Sequence, residues 1–221
     1  MSDERILGSR TKRFSGTLIV LILLFSPNAR AEVIAKTHEL YCGVQLFTSG
    51  RESAYVNNEK EGRWSESGSA AFGPAPVIGW RGSFLYDGGA FITDLGSLHA
   101  DAGWARVSGF TLSLDLARRF TGGGFGLKTR GFEQSLGGGL LVGMGNVHVE
   151  DESDPSNRIS VAGEIIGLDL FADTRYRLGE GRAITLRYKL IPAWAYYYDY
   201  LKDKEGKAFF VAHAFTIGYV F

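Results

Sequence analysis

The residues whose type and spacing could do chemistry are acids and bases that recur at every second position. Asp169, Asp173, Arg175 and Arg177 share one parity of a single segment, and Arg187 and Lys189 share one parity of the next. Asp115 and Glu133 occupy comparable positions upstream, Arg81 and Asp94 are further candidates, and Asp199 follows downstream. Wherever such a face is shut off from water, its charges must be paired. Acids and bases are nearly balanced here, so a network of salt bridges is the expected chemistry. A charged pore lining is the competing reading, but a selectivity ring usually carries one sign.

Nucleophilic catalysis needs a serine or cysteine beside a base, with an acid behind the base. The histidines are His38, His99, His148 and His213. His213 has Val211 and Phe215 as same-face neighbours and no serine two residues away. His148 stands near Glu150, beside the run Glu150-Asp151-Glu152-Ser153-Asp154-Pro155, where a solvated rim residue is expected. That run lacks the ligand order of a calcium loop, and no pair has metal-ligand spacing. No catalytic residue, metal site or cofactor is expected. Residues 50–70, with Arg51, Glu52, Tyr55, Lys60, Arg63 and Trp64, form an amphiphilic loop suited to lipopolysaccharide or a host surface.

The elements that must carry these side chains are strands. In the last segment Phe209, Val211, Phe215, Ile217, Tyr219 and Phe221 share one face, interrupted by His213, while Ala212, Ala214, Thr216 and Gly218 take the other. Phe215, Ile217, Tyr219 and Phe221 have the form of the C-terminal signal read by the barrel-assembly machinery. Gly109 to Leu116 and Ile184 to Tyr200 show the same period of two. In the latter, Trp194, Tyr196, Tyr198 and Tyr200 fit an interfacial aromatic girdle, and Pro192 marks a bulge or a weak point in the ladder. Leu168, Leu170, Ala172, Tyr176 and Leu178 face away from the charged set. Ile159 and Val161 fall in the opposite phase, so a β-bulge near Ile165-Ile166 is expected. From Leu136 to Gly145, inward glycines would let opposing side chains cross a narrow lumen.

Thirty glycines and 13% aromatics beside 22% charged residues suit a wall that shows lipid one face and a polar lumen the other. Arg5, Arg10, Lys12 and Arg13, the apolar run Leu18 to Phe25, and Ala29-Arg30-Ala31 read as a signal peptide over 1–31. That run is about ten residues, half of what a spanning helix needs. The segment holds five of the 24 basic and two of the 24 acidic residues, leaving about three net negative charges on 32–221. Such a balance argues against nucleic acid as a partner. The single cysteine, Cys42, has no internal disulfide partner and reads as a small apolar strand residue. The expected fold is an all-β, antiparallel transmembrane barrel of eight strands, near 38–49, 71–84, 88–97, 105–118, 132–149, 158–178, 182–200 and 207–221. Tight turns are expected at Tyr86-Asp87-Gly88-Gly89 and Gly179-Glu180-Gly181. Residues 119–131 are long for a turn and leave a ten-stranded count open.

Pro74-Ala75-Pro76-Val77-Ile78-Gly79-Trp80-Arg81-Gly82, with Phe84 and Gly88-Gly89, resembles the second strand of the MipA/OmpV family of outer-membrane proteins. Weaker echoes occur at Leu127 to Phe132, at Leu178 to Arg182, and at Trp194 to Tyr200. Lys202-Asp203-Lys204-Glu205-Gly206 leads directly into the last strand, without the family's further hairpin, so the chain looks like a shortened or distant member. The resemblance implies an integral protein of the Gram-negative outer membrane. It further implies a scaffold for murein enzymes in some members and a surface antigen or adhesin in others. The expected role is therefore structural, scaffolding or surface-interacting, with a plugged lumen and with lipid, lipopolysaccharide, murein-associated or host-surface proteins as partners. A small-solute channel and a lipid A-modifying enzyme are the alternatives.

Overall fold

A chain crossing lipid as strands must satisfy its backbone N–H and C=O groups between strands, which only a closed sheet achieves. The computed structural model describes residues 32–58, 62–68, 74–101, 105–121, 131–150, 158–199 and 204–221. The expected leader over 1–31 lies outside them. The strands are β1 (Ala35–Asn58), β2 (Gly62–Gly68), β3 (Ala75–Tyr86), β4 (Gly89–Asp101) and β5 (Ala105–Thr121). They continue as β6 (Phe132–Glu150), β7 (Arg158–Gly179), β8 (Arg182–Asp199) and β9 (Lys204–Val220). Neighbours are antiparallel throughout, and β1 returns to pair with β9. β1 and β3–β9 thus close an eight-stranded barrel, and the ten-stranded alternative falls away.

The remaining strand corrects one expectation. Residues 50–70 are not simply a polar loop: β1 runs on to Asn58 and pairs with β2 from Glu52↔Gly68 to Asn58↔Gly62. Its other edge stays with β9 as far as Val56↔Lys204. At 24 residues β1 is more than twice the roughly 9–11 that cross a bilayer, so this hairpin continues the barrel wall past the membrane.

The bulge expected near Ile165-Ile166 is absent, and of the two readings of Pro192 the weak point holds. β6 and β7 stay in one register from Phe132↔Tyr176 to Glu150↔Arg158, with no break at Ile165-Ile166. Ile165 keeps the inward phase at 2% exposure and Ile166 the outward phase at 51%. The inward face of β7 therefore carries an apolar residue as well as the charges, so an apolar residue of odd number needs no change of phase; the side chains of Ile159 and Val161 lie outside the described set. The β8–β9 register also runs unbroken through Pro192↔Val211. On the other edge, pairing is lost between Gly167↔Ala193 and Leu170↔Leu190, so Pro192 is a weak point without a bulge. The register shifts that do occur lie at Phe47/Ser49 and at Arg177/Gly179. The second adjoins a reversal in which Gly179, Glu180 and Gly181 have φ of 106°, 50° and 79°. The other expected tight turn forms at Asp87-Gly88, closed by Tyr86↔Gly89.

Strand parity sorts the side chains as period two requires. Phe110, Met144, Leu186, Phe215 and Phe221 are among the exposed apolar residues of the outer wall. The inner face has two apolar clusters, Leu85, Ala90, Ile92, Ala117 and Phe171 in one, Leu98, Leu141, Ile165, Ile191 and Phe210 with small alanines in the other. Glycine makes room for the larger inward groups. A Cβ on Gly137 would strike the Phe171 ring, and one on Gly139 would strike Asp115. The space above these glycines is filled from adjacent strands, not from across the lumen as expected.

Gly218, opposite Tyr41 on β1 and Thr185 on β8, is a tight case at the closing seam. A Cβ there would run into the Glu39 carboxylate and come within 2.6 Å of Thr185 Oγ1. Gly218→Val should therefore cost the upper end of an overpacking penalty, about 3 kcal/mol. Ala172→Val on the outer wall should cost under about 0.5 kcal/mol. Urea titration of the heat-modifiable gel shift measures both, and equal midpoints would refute the tight seam.

Candidate functional site

The inward face brings the charged residues together in a layer between the two apolar clusters. Arg81, Asp115 and Asp169 are fully buried, and Glu39, Asp94, Asp173, Arg187 and Lys189 nearly so. Asp94 on β4 is the hub. Its Oδ1 accepts a hydrogen bond from the Tyr41 hydroxyl at 2.5 Å. Its Oδ2 lies 3.0 Å from Arg81 Nε, 2.9 Å from Lys189 Nζ and 3.9 Å from Arg187 Nη1. Arg81 Nη1 also donates to Glu39 Oε1 at 2.6 Å, an oxygen that accepts from Thr185 Oγ1 as well. Lys189 donates to Asp169 Oδ2 at 2.5 Å, and Arg187 Nη2 to Asp173 Oδ2 at 3.0 Å. Both guanidinium groups lie near aromatic rings, Arg81 at 4.6 Å from the Tyr41 centroid and Arg187 at 4.1 Å from that of Phe171.

The expected charged set divides in two. Asp115, Asp169, Asp173, Arg187 and Lys189 belong to the central layer. Glu133, Arg175 and Arg177 lie at the end of the lumen where the chain makes its tight turns. There Glu133 accepts from Arg119 Nε at 2.5 Å and from Arg177 Nη2 at 2.8 Å. Arg177 is 61% exposed, so it closes a mouth instead of filling the lumen as expected. The side chain of Asp199 lies outside the described residues. Sequence reasoning missed Glu39, Tyr41 and Arg119, and it put Thr185 on the inward face without joining it to the network. Arg119 keeps the odd parity of Asp115 along β5, a signal that extending the strand to Thr121 would have caught.

Two cavities flank the layer. One of about 30 Å³ is lined by Tyr41, Asp94, Lys189, Leu141, Ile165 and Phe210 among others. The other, of about 10 Å³, touches Ile92, Arg119, Glu133, Asp173 and Arg175. A water needs about 10–15 Å³, so the first has room for about two.

On the outer wall, Phe215, Ile217, Tyr219 and Phe221 are 44–57% exposed. Phe221 stacks on His38, which stacks on Trp80, and its N–H donates to the His38 carbonyl. Of the expected girdle, Trp194 packs on Phe209 at 5.0 Å and Tyr196 is exposed. Tyr200 and the side chain of Tyr198 lie outside the described residues. Cys42 is exposed on β1.

The catalytic candidates resolve into other contacts. His213 Nδ1 is 2.7 Å from the Tyr188 hydroxyl. His99 faces Ser108 across β4–β5, but no hydrogen bond joins them among the described residues. His148 pairs with Ser160 in register, and its side chain lies outside the described set. Among the described residues no three His, Cys, Asp or Glu side chains are grouped to hold a metal.

No family model matches the chain, and no curated protein matches it. Among solved structures it is similar to the outer membrane protein OprG from Pseudomonas aeruginosa. The identity is 13% and the TM-score 0.51, over 85% of this chain and 96% of that one. It is also similar to Neisserial surface protein A, at 12% identity and a TM-score of 0.40 over 79% and 95% of the two chains. The outer membrane protease OmpT from Escherichia coli aligns at 8% identity and a TM-score of 0.43, over 88% and 99%. The fold is that of Gram-negative outer-membrane barrels.

Asp173 and Arg187 face one another directly in the β7–β8 register. Arg187→Ala strands a buried carboxylate, so it should cost about 3–5 kcal/mol. Replacing both partners, as Asp173→Asn with Arg187→Met, should recover most of that loss because no lone charge remains. Urea unfolding of the three proteins in one detergent checks this. A double variant no better than the single one would show that pairing is not what the arginine contributes.

Proposed function

We propose that the protein is an outer-membrane barrel with a closed lumen, acting through its outer surfaces as a structural or surface-interaction protein and not as a channel. The observation that carries this reading is the layering of the lumen. A conducting path needs a continuous polar wall, whereas here the charges are tied to one another at 2.5–3.0 Å. Apolar layers lie on both sides of them. Moving an ion through would mean breaking several buried pairs at once, and each uncompensated charge costs several kcal/mol.

The surfaces left for function lie outside. The β1–β2 hairpin holds a sheet-like shape beyond the barrel, which a contact surface needs and a mere connection does not. Its amphiphilic sequence suits lipopolysaccharide or a protein of another cell. The resemblance to the MipA/OmpV family supports a scaffold or adhesin role of the same class.

Purified protein in planar bilayers should give no steady conductance, and liposomes carrying it should not swell in small sugars. A reproducible, ion-selective conductance would overturn the closed lumen and put a small-solute channel in its place. Crosslinking in intact outer membranes should capture lipopolysaccharide or protein through residues 50–70. Deleting 59–61, between β1 and β2 in sequence, should weaken that capture while leaving heat-modifiable folding intact.

A further inference from the structure

The central layer is acid-rich. It buries five carboxylates, Glu39, Asp94, Asp115, Asp169 and Asp173, against three bases, Arg81, Arg187 and Lys189. The surplus bases, Arg119, Arg175 and Arg177, sit at the turn end around Glu133, where they cannot fill the coordination of oxygens in the middle of the lumen.

The deficit is local. Four of the five carboxylates are in ion pairs, and Asp115 has none among the described residues. Its Oδ2 accepts from the Ser113 hydroxyl at 3.2 Å, and its Oδ1 is buried without a partner. Asp169 gives Oδ2 to Lys189, and its Oδ1 is likewise buried and unpartnered. Both residues are at 0% exposure.

These two acids flank one residue. Gly139 on β6 pairs with Asp115 on β5 and with Asp169 on β7. It contributes no side chain, and Asp115 Oδ1 lies 2.5 Å from where its Cβ would be. The result is a saddle floored by glycine between two acids, with Asp115 Oδ1 standing over it and the Ser113 hydroxyl on the other oxygen of the same carboxylate.

We propose that this saddle binds one small monovalent cation, held between Asp115 Oδ1 and Asp169 Oδ1. Carboxylate and hydroxyl oxygens are hard donors that select hard cations. Asp169 already shares the charge of Lys189, so the two acids hold about one uncompensated negative charge, which a monovalent ion matches and a divalent ion exceeds. Strands β5 and β7 stand two strand spacings apart, about 9–10 Å at the backbone. Only Gly139, which carries no side chain, stands between the two acids. Bound sodium would cancel one of the two charges by which the layer's carboxylates outnumber its bases, the one next to Asp115, which has no ion pair among the described residues.

The test uses the folded protein in detergent at neutral pH and fixed ionic strength, with choline chloride replaced stepwise by sodium or potassium chloride. A ligand held by the folded state alone stabilises it in proportion to ln(1 + [L]/Kd). Once the site is filled, each tenfold rise in sodium should raise the folding constant tenfold and move the urea midpoint upward. Asp115→Asn and Asp169→Asn should each abolish that dependence, and Asp115→Asn should exceed the wild type in choline alone. Glu180→Gln, at the exposed turn, should retain it. Should the aspartate variants fail to fold, sodium NMR relaxation on the wild type gives the answer, with enhancement above the empty-micelle value that potassium reverses.

A midpoint equal in choline, sodium and potassium would overturn the site. So would a salt effect that Asp115→Asn keeps, a response to magnesium or calcium alone, or stabilisation by acid in place of alkali ions. Absence of sodium relaxation enhancement would overturn it independently.

Discussion

Everything inside this molecule follows from the need to close a sheet in lipid. Unpaired backbone groups are too costly in hydrocarbon to leave an edge, so β1 must return to β9. Closure with eight strands sends every second side chain into a lumen only wide enough for side chains. Whatever charge the inward parity carries is then buried, and buried charge must find its counter-charge within the same ring. Asp94 shows the consequence: its carboxylate gathers Tyr41 from β1, Arg81 from β3 and Lys189 from β8. One side chain on β4 thereby links strands from opposite walls of the barrel.

The apolar layers determine how strong those links are. With Phe171, Ile92 and Leu85 on one side and Leu141, Ile165 and Phe210 on the other, bulk water is kept from the ions. A low local dielectric strengthens each satisfied pair and penalises each unsatisfied oxygen. The same layers that make the Arg187–Asp173 bond valuable therefore make the unpartnered oxygens of Asp115 and Asp169 conspicuous. At the turn end, where Arg177 is largely in solvent, an ion pair is worth far less.

Most of the barrel was legible because period two is a covalent property of an extended chain. Lys189 and Asp169, or Arg187 and Asp173, could be matched once a tight turn was seen at Gly179 to Gly181. What failed did so for definite reasons. Glu39 was hidden by His38 and Cys42, outward residues whose polarity blurs the alternation of β1. The supposed bulge at Ile165 came from assuming that inward means polar, whereas a narrow lumen also accepts Ile165, Ile191 and Phe210. The hairpin after residue 50 was illegible because its sequence lacks the apolar alternation that marks the barrel strands. Its order comes from pairing with β9 and β2, which no local window contains.

The charged layer also answers a question that hydrophobicity leaves open, namely which register closes the ring. The outer wall is apolar along its length, so lipid distinguishes poorly between a β1–β9 seam and one displaced by two residues, which keeps every face. The inward groups do distinguish. In the observed register Glu39 reaches across Gly218 of β9 to Thr185 of β8, while its same oxygen accepts from Arg81 of β3. A displacement by two would set a residue with a side chain, Thr216 or Val220, where Gly218 leaves space, and would separate Glu39 from both donors. A buried carboxylate deprived of its partners costs several kcal/mol, enough to suppress the wrong seam. Net stability from such pairs is often small. Their contribution here is to make one closure far better than its neighbours.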